Sequence, residues 1–80
     1  MNRETIEKTI NDFLINELEV EEALLNANAL LKEDLHIDSL DFVDIAAEVE
    51  KTFGIKIKPE EMKDVKTLSQ FYDYVVAKIQ

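Results

Sequence analysis

The sequence predicts an all-α fold, a small bundle of three longer helices and one short helix. Three observations carry that prediction. Apolar residues recur at helical spacing in three separate segments, and the one strand-like alternation, Ile55-Lys56-Ile57-Lys58, has no second strand to pair with. At 80 residues, the chain has room for a single domain over 1–80 with a modest core.

In the first helix, Ile6, Ile10, Phe13 and Leu14 define an amphipathic segment of about three turns that ends near Asn16. From Glu17 to Ile37 the periodicity blurs, with Val20, Leu24, Leu25, Leu30, Leu31 and Leu35 scattered among acids. A structureless connection of that length is unusual in a compact domain, so helical turns and leucines folded onto the core are expected there. The second helix is the clearest element. It runs from Ser39 to Phe53, with Asp38 placed to cap it, Asp41 at the third position as a shortened capping box, and Gly54 to stop it. Successive 100° steps gather Phe42, Ile45, Ala46, Val49 and Phe53 on one apolar arc, opposite a stripe of Asp41, Asp44, Glu48 and Lys51. Leu40, Val43 and Ala47 form a further apolar strip between them, bordered by Asp44 and Glu50, that serves either as extra core or as a docking patch.

Pro59 ends the alternating run, which therefore reads as an extended loop. Pro59-Glu60-Glu61-Met62 suits the start of a short helix, with proline at the first position and acids in the first turn. Thr67 or Ser69 caps a final helix that carries Leu68, Phe71, Tyr72, Val75 and Ile79 on one face and ends near Lys78. No repeat, low-complexity tract or linker argues for a second domain.

Composition excludes several classes of function. There is no cysteine, so disulfides, thiol nucleophiles and cysteine-ligated metals are ruled out, and the lone His36 cannot build a multi-histidine metal site. No metal site and no catalytic residue is assigned. Ser39 with His36 as base lacks a visible oxyanion-binding element, and Asp34 and Asp38 lack the dense spacing and glycine turn of a calcium loop. The polar start, Met1 to Ile10, has no signal-peptide core, and no apolar run is long enough to cross a bilayer, so a cytoplasmic protein without membrane insertion is expected. Of the net charge of −9, residues 17–50 carry −10, with Lys32 the one lysine or arginine among them. That concentration repels nucleic acid and steers basic protein surfaces toward the middle of the chain.

The most informative stretch is Asp38-Ser39-Leu40. A helix N-terminus directs unpaired N–H groups and a partial positive charge at whatever an exposed serine hydroxyl carries, which makes Ser39 a candidate attachment point for a phosphate-linked group. Serine and aspartate are also ordinary helix caps, and from the residues alone both uses stand.

The motif Asp38-Ser39-Leu40-Asp41, the acidic amphipathic helix, Phe53, the Ile55 to Pro59 loop, Glu60-Glu61 and Val65-Lys66-Thr67-Leu68 before a last helix resemble the acyl carrier protein family over nearly the whole chain. The resemblance implies that Ser39 carries 4′-phosphopantetheine through a phosphodiester, with Asp38 and Leu40 flanking the attachment site. It implies a carrier that delivers acyl groups as thioesters to partner enzymes, by default in fatty acid biosynthesis, although polyketide, specialised lipid and D-alanyl pathways use the same scaffold. The implied partners are a phosphopantetheinyl transferase and acyl-processing enzymes with basic docking patches, met by a monomer. Leu40, Val43 and Ala47 align with apolar partner contacts, and Asp44 and Glu50 with acids that bind partner arginines and lysines. Asp41 and Glu48 lie on the same acidic surface. Phe42, Ala46, Val49 and Phe53 are core positions among which the family's acyl pocket lies. Three residues depart from the usual pattern: His36 stands where glycine is frequent, Phe42 replaces a small or polar residue, and Lys51 interrupts the acidic run. The rival reading is a small acidic adaptor without a prosthetic group.

Overall fold

The computed structural model describes residues 2–79, which form three α-helices: α1 (Arg3–Leu18), α2 (Ser39–Phe53) and α3 (Leu68–Ile79). Met1 and Gln80, the ends of the expected 1–80 domain, lie outside the described residues. Two 3₁₀ segments, Glu22–Leu24 and Pro59–Asp64, punctuate the connections. The expected short fourth helix is therefore a 3₁₀ segment: Glu61 N–H donates to Lys58 O at 2.9 Å and Val65 N–H to Met62 O at 3.1 Å, the tighter pattern common in short pieces.

Each helix is framed by identifiable chemistry. The Asn2 side chain accepts from Thr5 N–H at 2.8 Å to start α1. At its other end Glu19 adopts a left-handed conformation (φ 56°), and its N–H and that of Val20 both donate to Leu14 O. The helix thus runs past the expected end at Asn16, because it closes on a non-glycine residue that gives no stop signal in the sequence. In α2 the boundaries are those predicted, with Asp38 at the N-cap and Gly54 (φ 68°) closing the end through a bond to Glu50 O. Before α3, Thr67 Oγ1 accepts from Gln70 N–H at 3.2 Å while Gln70 Oε1 accepts from Lys66 and Thr67 N–H at 2.8 and 3.0 Å. This is a reciprocal capping box, so Thr67 rather than Ser69 is the cap.

Helix α1 packs against both α2 and α3. Ile6, Ile10 and Leu14 from α1, Ile45 and Val49 from α2, and Leu68, Phe71, Tyr72 and Val75 from α3 are buried together. The long connection between α1 and α2 is held down rather than loose: Val20, Ala29, Leu31, Leu35 and Ile37 are buried, whereas Leu24 and Leu30 stay exposed. Its backbone is tied to the approach to α3 by Leu31 N–H to Lys66 O (2.9 Å), Leu68 N–H to Ala29 O (2.9 Å) and Ser69 N–H to Ala27 O (3.0 Å). An isolated bridge joins Leu30 and Thr67.

His36 has φ 58°, a conformation that glycine adopts without the steric cost a Cβ brings. On the far side, Tyr74 Oη donates to Glu61 Oε1 at 2.6 Å and accepts from Lys58 N–H at 3.3 Å, and Lys78 Nζ lies 2.9 Å from the same Glu61 oxygen. These contacts pin the 3₁₀ segment to α3, and the Tyr74 bond, followed by Lys78, holds the Glu61 carboxyl below its ordinary range. Among the described residues, no helix is long and apolar enough to cross a membrane, and no group of acidic and histidine side chains gathers as a metal site.

Candidate functional site

The site is organised by the first turn of α2. Asp38 Oδ1 accepts from Asp41 N–H at 2.8 Å, and Asp38 N–H reaches back to Asp41 Oδ2 at 3.4 Å. Because Asp38 holds the N-cap position, Ser39 is the first helical residue, and its hydroxyl is not needed as a cap. Ser39 is exposed, and its hydroxyl has no hydrogen bond to the described residues. Asp38 also leaves the first two N–H groups of the helix to face outward without an intrahelical partner. A primary alcohol that is exposed, unpaired and placed beside these dipoles suits linkage to an anionic phosphodiester.

An open groove of about 620 Å³ begins at Ser39. Its apolar wall is Leu30, Leu31, Ile37, Phe42 and Val65, and it also carries Lys32, Lys63 and Lys66 beside Glu33 and Asp38. That volume lies within the roughly 300–1,000 Å³ typical of small-ligand sites. Phe42 is braced edge-to-face against the buried Phe71, with ring centroids 5.9 Å apart and planes at 84°. The residues present thus suit a phosphopantetheine arm: an accessible hydroxyl, free amide dipoles, and an adjoining cleft with both apolar and cationic surface.

The four residues expected around an acyl pocket do not share one cavity. Phe42 lines the groove at Ser39, whereas Val49 and Phe53 line a crevice of about 10 Å³ against Ile10 and Phe13 of α1. Ala46 is half-buried and lines neither space. The division follows from helix length, since Phe42 and Phe53 lie about 16 Å apart along the axis at 1.5 Å per residue. The groove residues missed in the sequence, Leu30, Leu31, Ile37, Val65 and the three lysines, come from segments distant in the chain that backbone ties such as those between Leu31 and Lys66 and between Ala29 and Leu68 bring together.

On the outer face, Leu40 is 76% exposed and Val43 66%, too open to be core. Ala47 and Asp44 are exposed beside them, while Glu48 is half-buried. Asp44, Ala47, Glu48 and Lys51 line a second, shallower groove against Phe13, Glu17 and Leu18 of α1. Asp41 is half-buried and turned back to the cap. Glu50 differs from the other acids. Its Oε2 accepts from Ile57 N–H at 2.7 Å, so this half-buried carboxylate locks the loop after Gly54 onto α2.

The family described as phosphopantetheine attachment site matches residues 8–75. The acyl carrier protein of Rubrobacter xylanophilus is 38% identical over 76 residues, which cover 95% of this chain and 94% of that protein. The acyl carrier protein of Coprothermobacter proteolyticus is 35% identical over 75 residues, 94% of this chain and 92% of the relative. That of Cyanophora paradoxa is 32% identical over 78 residues, 98% of this chain and 76% of the relative.

Proposed function

The chain belongs to the acyl carrier protein family, and we propose that Ser39 is its attachment site for 4′-phosphopantetheine and that it serves fatty acid biosynthesis. When bound, that group supplies a terminal thiol on which acyl groups are held as thioesters. The chain's own residues present, stabilise and dock; chemistry on the cargo belongs to the partner enzymes, and the chain itself is not a catalyst.

One observation carries the reading: at the head of α2, Asp38 occupies the cap and leaves the Ser39 hydroxyl exposed and unpaired. A phosphodiester there lies against the positive end of the α2 dipole, a contact worth roughly 0.3–1 kcal/mol at an exposed site. Leu40 and Val43, with Ala47, Asp44 and Glu48 beyond them, offer a small apolar strip rimmed by acids on the same face of α2. That pattern suits basic patches on a phosphopantetheinyl transferase and on acyl-processing enzymes, with association that weakens as salt rises. Two strongly exposed apolar side chains make a patch too small for an obligate dimer, which supports a monomer.

Incubation with a phosphopantetheinyl transferase and coenzyme A tests the attachment site by intact mass. The wild-type chain should gain one phosphopantetheinyl group, and Ser39→Ala should gain none while keeping its helical circular dichroism. A wild-type chain that stays unmodified, or a Ser39→Ala chain that is still modified, overturns the proposal.

A further inference from the structure

The groove beside Ser39 has a charge opposite to that of the molecule around it. The chain carries 18 acids against 9 lysines and arginines, yet Lys32, Lys63 and Lys66 line this one cleft. They come from two segments, and Leu31 N–H bonded to Lys66 O at 2.9 Å sets the backbone next to Lys32 against Lys66. Lys66 N–H is fixed in turn by Gln70 Oε1 at 2.8 Å. Ion pairs among the described residues involve only Arg3, Lys8 and Lys78, so none of the three groove ammonium groups is paired with a carboxylate of the described residues. Of the two acids on the rim, Asp38 is turned to the Asp41 amide, which leaves Glu33 as the one opposing charge that the cap does not engage.

With Lys32, Lys63 and Lys66 set against Glu33 and Asp38, the lining keeps a net positive charge, from which a purely apolar cargo would gain nothing. We propose that the groove receives acyl cargo that ends in a carboxylate, with the apolar wall covering the methylene stem and the lysines facing the distal charge. The inference rests on attachment at Ser39 and goes beyond it, since it names the class of cargo. Exposed ammonium–carboxylate contacts are individually weak, about a factor of two each, and three of them give about a five- to tenfold preference.

The test loads the chain through a transferase with either glutaryl coenzyme A or 5-oxohexanoyl coenzyme A, a neutral near-isostere in which a methyl group replaces one carboxylate oxygen. The phosphodiester is common to both products, so their difference reports the distal end alone. Intact mass reads loading. Backbone amide shifts at Lys32, Lys63, Val65 and Lys66 read groove occupancy, and cleavage by hydroxylamine, relative to the free acyl-pantetheine, reads protection. The glutaryl form should shift those amides and be protected about five- to tenfold more than the neutral form. High salt and the exposed-site variant K32Q/K63Q/K66Q, its fold checked by circular dichroism, should remove the difference. Should neither ester add mass, the attachment site falls and the cargo preference with it. If both load but behave alike, or if the triple variant keeps full selectivity, the cargo preference alone is overturned.

Discussion

Replacing Asp38 separates two jobs that a carboxylate at the head of α2 can do. As a cap, its Oδ1 accepts from Asp41 N–H at 2.8 Å; the return bond from Asp38 N–H to Asp41 Oδ2, at 3.4 Å, is the weaker half of the box. Asp38→Ala removes the strong half, a loss of about 1 kcal/mol. It also removes a negative charge from the helix N-terminus, about 0.3–1 kcal/mol, partly offset by relief of repulsion from Asp41 in a chain of net charge −9. The expected total is about 1–1.5 kcal/mol. For a domain of this size each kcal/mol moves the melting midpoint by about 4–8 °C, so a fall of about 5–10 °C is expected. Asp38→Asn keeps an acceptor oxygen in the same place and should recover most of that stability.

Thermal unfolding of the three apo chains, followed by circular dichroism, measures the cap. Transferase loading rates well below the lowest midpoint measure recognition. If the carboxylate only caps, Asn should restore loading together with stability; if the transferase reads its charge, Asn should restore stability alone. An Asp38→Asn chain that melts as low as Asp38→Ala would refute the capping account drawn from the 2.8 Å bond.

Tyr72 is buried, and burial pushes its hydroxyl up to about 12; its Oη donates to Asn11 Oδ1. Because the folded value lies above the ordinary 10.0, this contribution to stability is complete below about pH 10 and lost as pH rises toward 12, by up to about 3 kcal/mol. Tyr72→Phe should flatten urea midpoints between about pH 9 and pH 11, and an unchanged slope would count against the assignment. Glu50→Ala should destabilise by about 1–3 kcal/mol by leaving the half-buried Ile57 N–H unpaired, whereas the exposed Asp44→Ala should stay within about 0.5 kcal/mol and weaken partner binding instead. Equal melting of those two variants would remove the structural role given to Glu50. His36→Gly should relieve the left-handed strain at φ 58°, about 1–2 kcal/mol, against glycine's greater unfolded-state freedom of about 0.4–1 kcal/mol, for a net rise of a few degrees; a lower midpoint would contradict it.

The parts of the fold legible in the sequence were those with a chemical signal at each boundary. Helix α2 was bounded correctly because Asp38 and Gly54 mark its two ends, whereas α1 closes on Glu19, a residue type that announces nothing. At α3 the sequence offers both Thr67 and Ser69 as caps, and the choice rests on the reciprocal bonds between Thr67 and Gln70 that the backbone sets up. Helical angle alone grouped Phe42 with Val49 and Phe53, because it discards distance along the axis, and that distance is what sends them to different cavities. The hydroxyl at Ser39 was legible from a local motif. The lysine-lined groove was not, since it depends on contacts between residues more than thirty positions apart, such as Leu31 with Lys66.

On the proposed function, the dimensions of the outer face set the lifetime of its complexes. Leu40 and Val43 together offer two side chains' worth of apolar burial, about 1.5–3 kcal/mol each when fully covered. Association costs an estimated 4–15 kcal/mol in lost translational and rotational freedom, so these contacts cannot hold a partner tightly by themselves. The acids around them add little per exposed pair but act at a distance, and they therefore raise the encounter rate more than they lengthen the stay. Rapid capture with rapid release is what a carrier that meets several enzymes in turn requires. The Glu50 bond to Ile57 ties the loop after Gly54 to the C-terminal end of α2, away from those two side chains. A tight, salt-insensitive complex at this face would therefore conflict with the exposed area and charge pattern of α2, whatever cargo Ser39 bears.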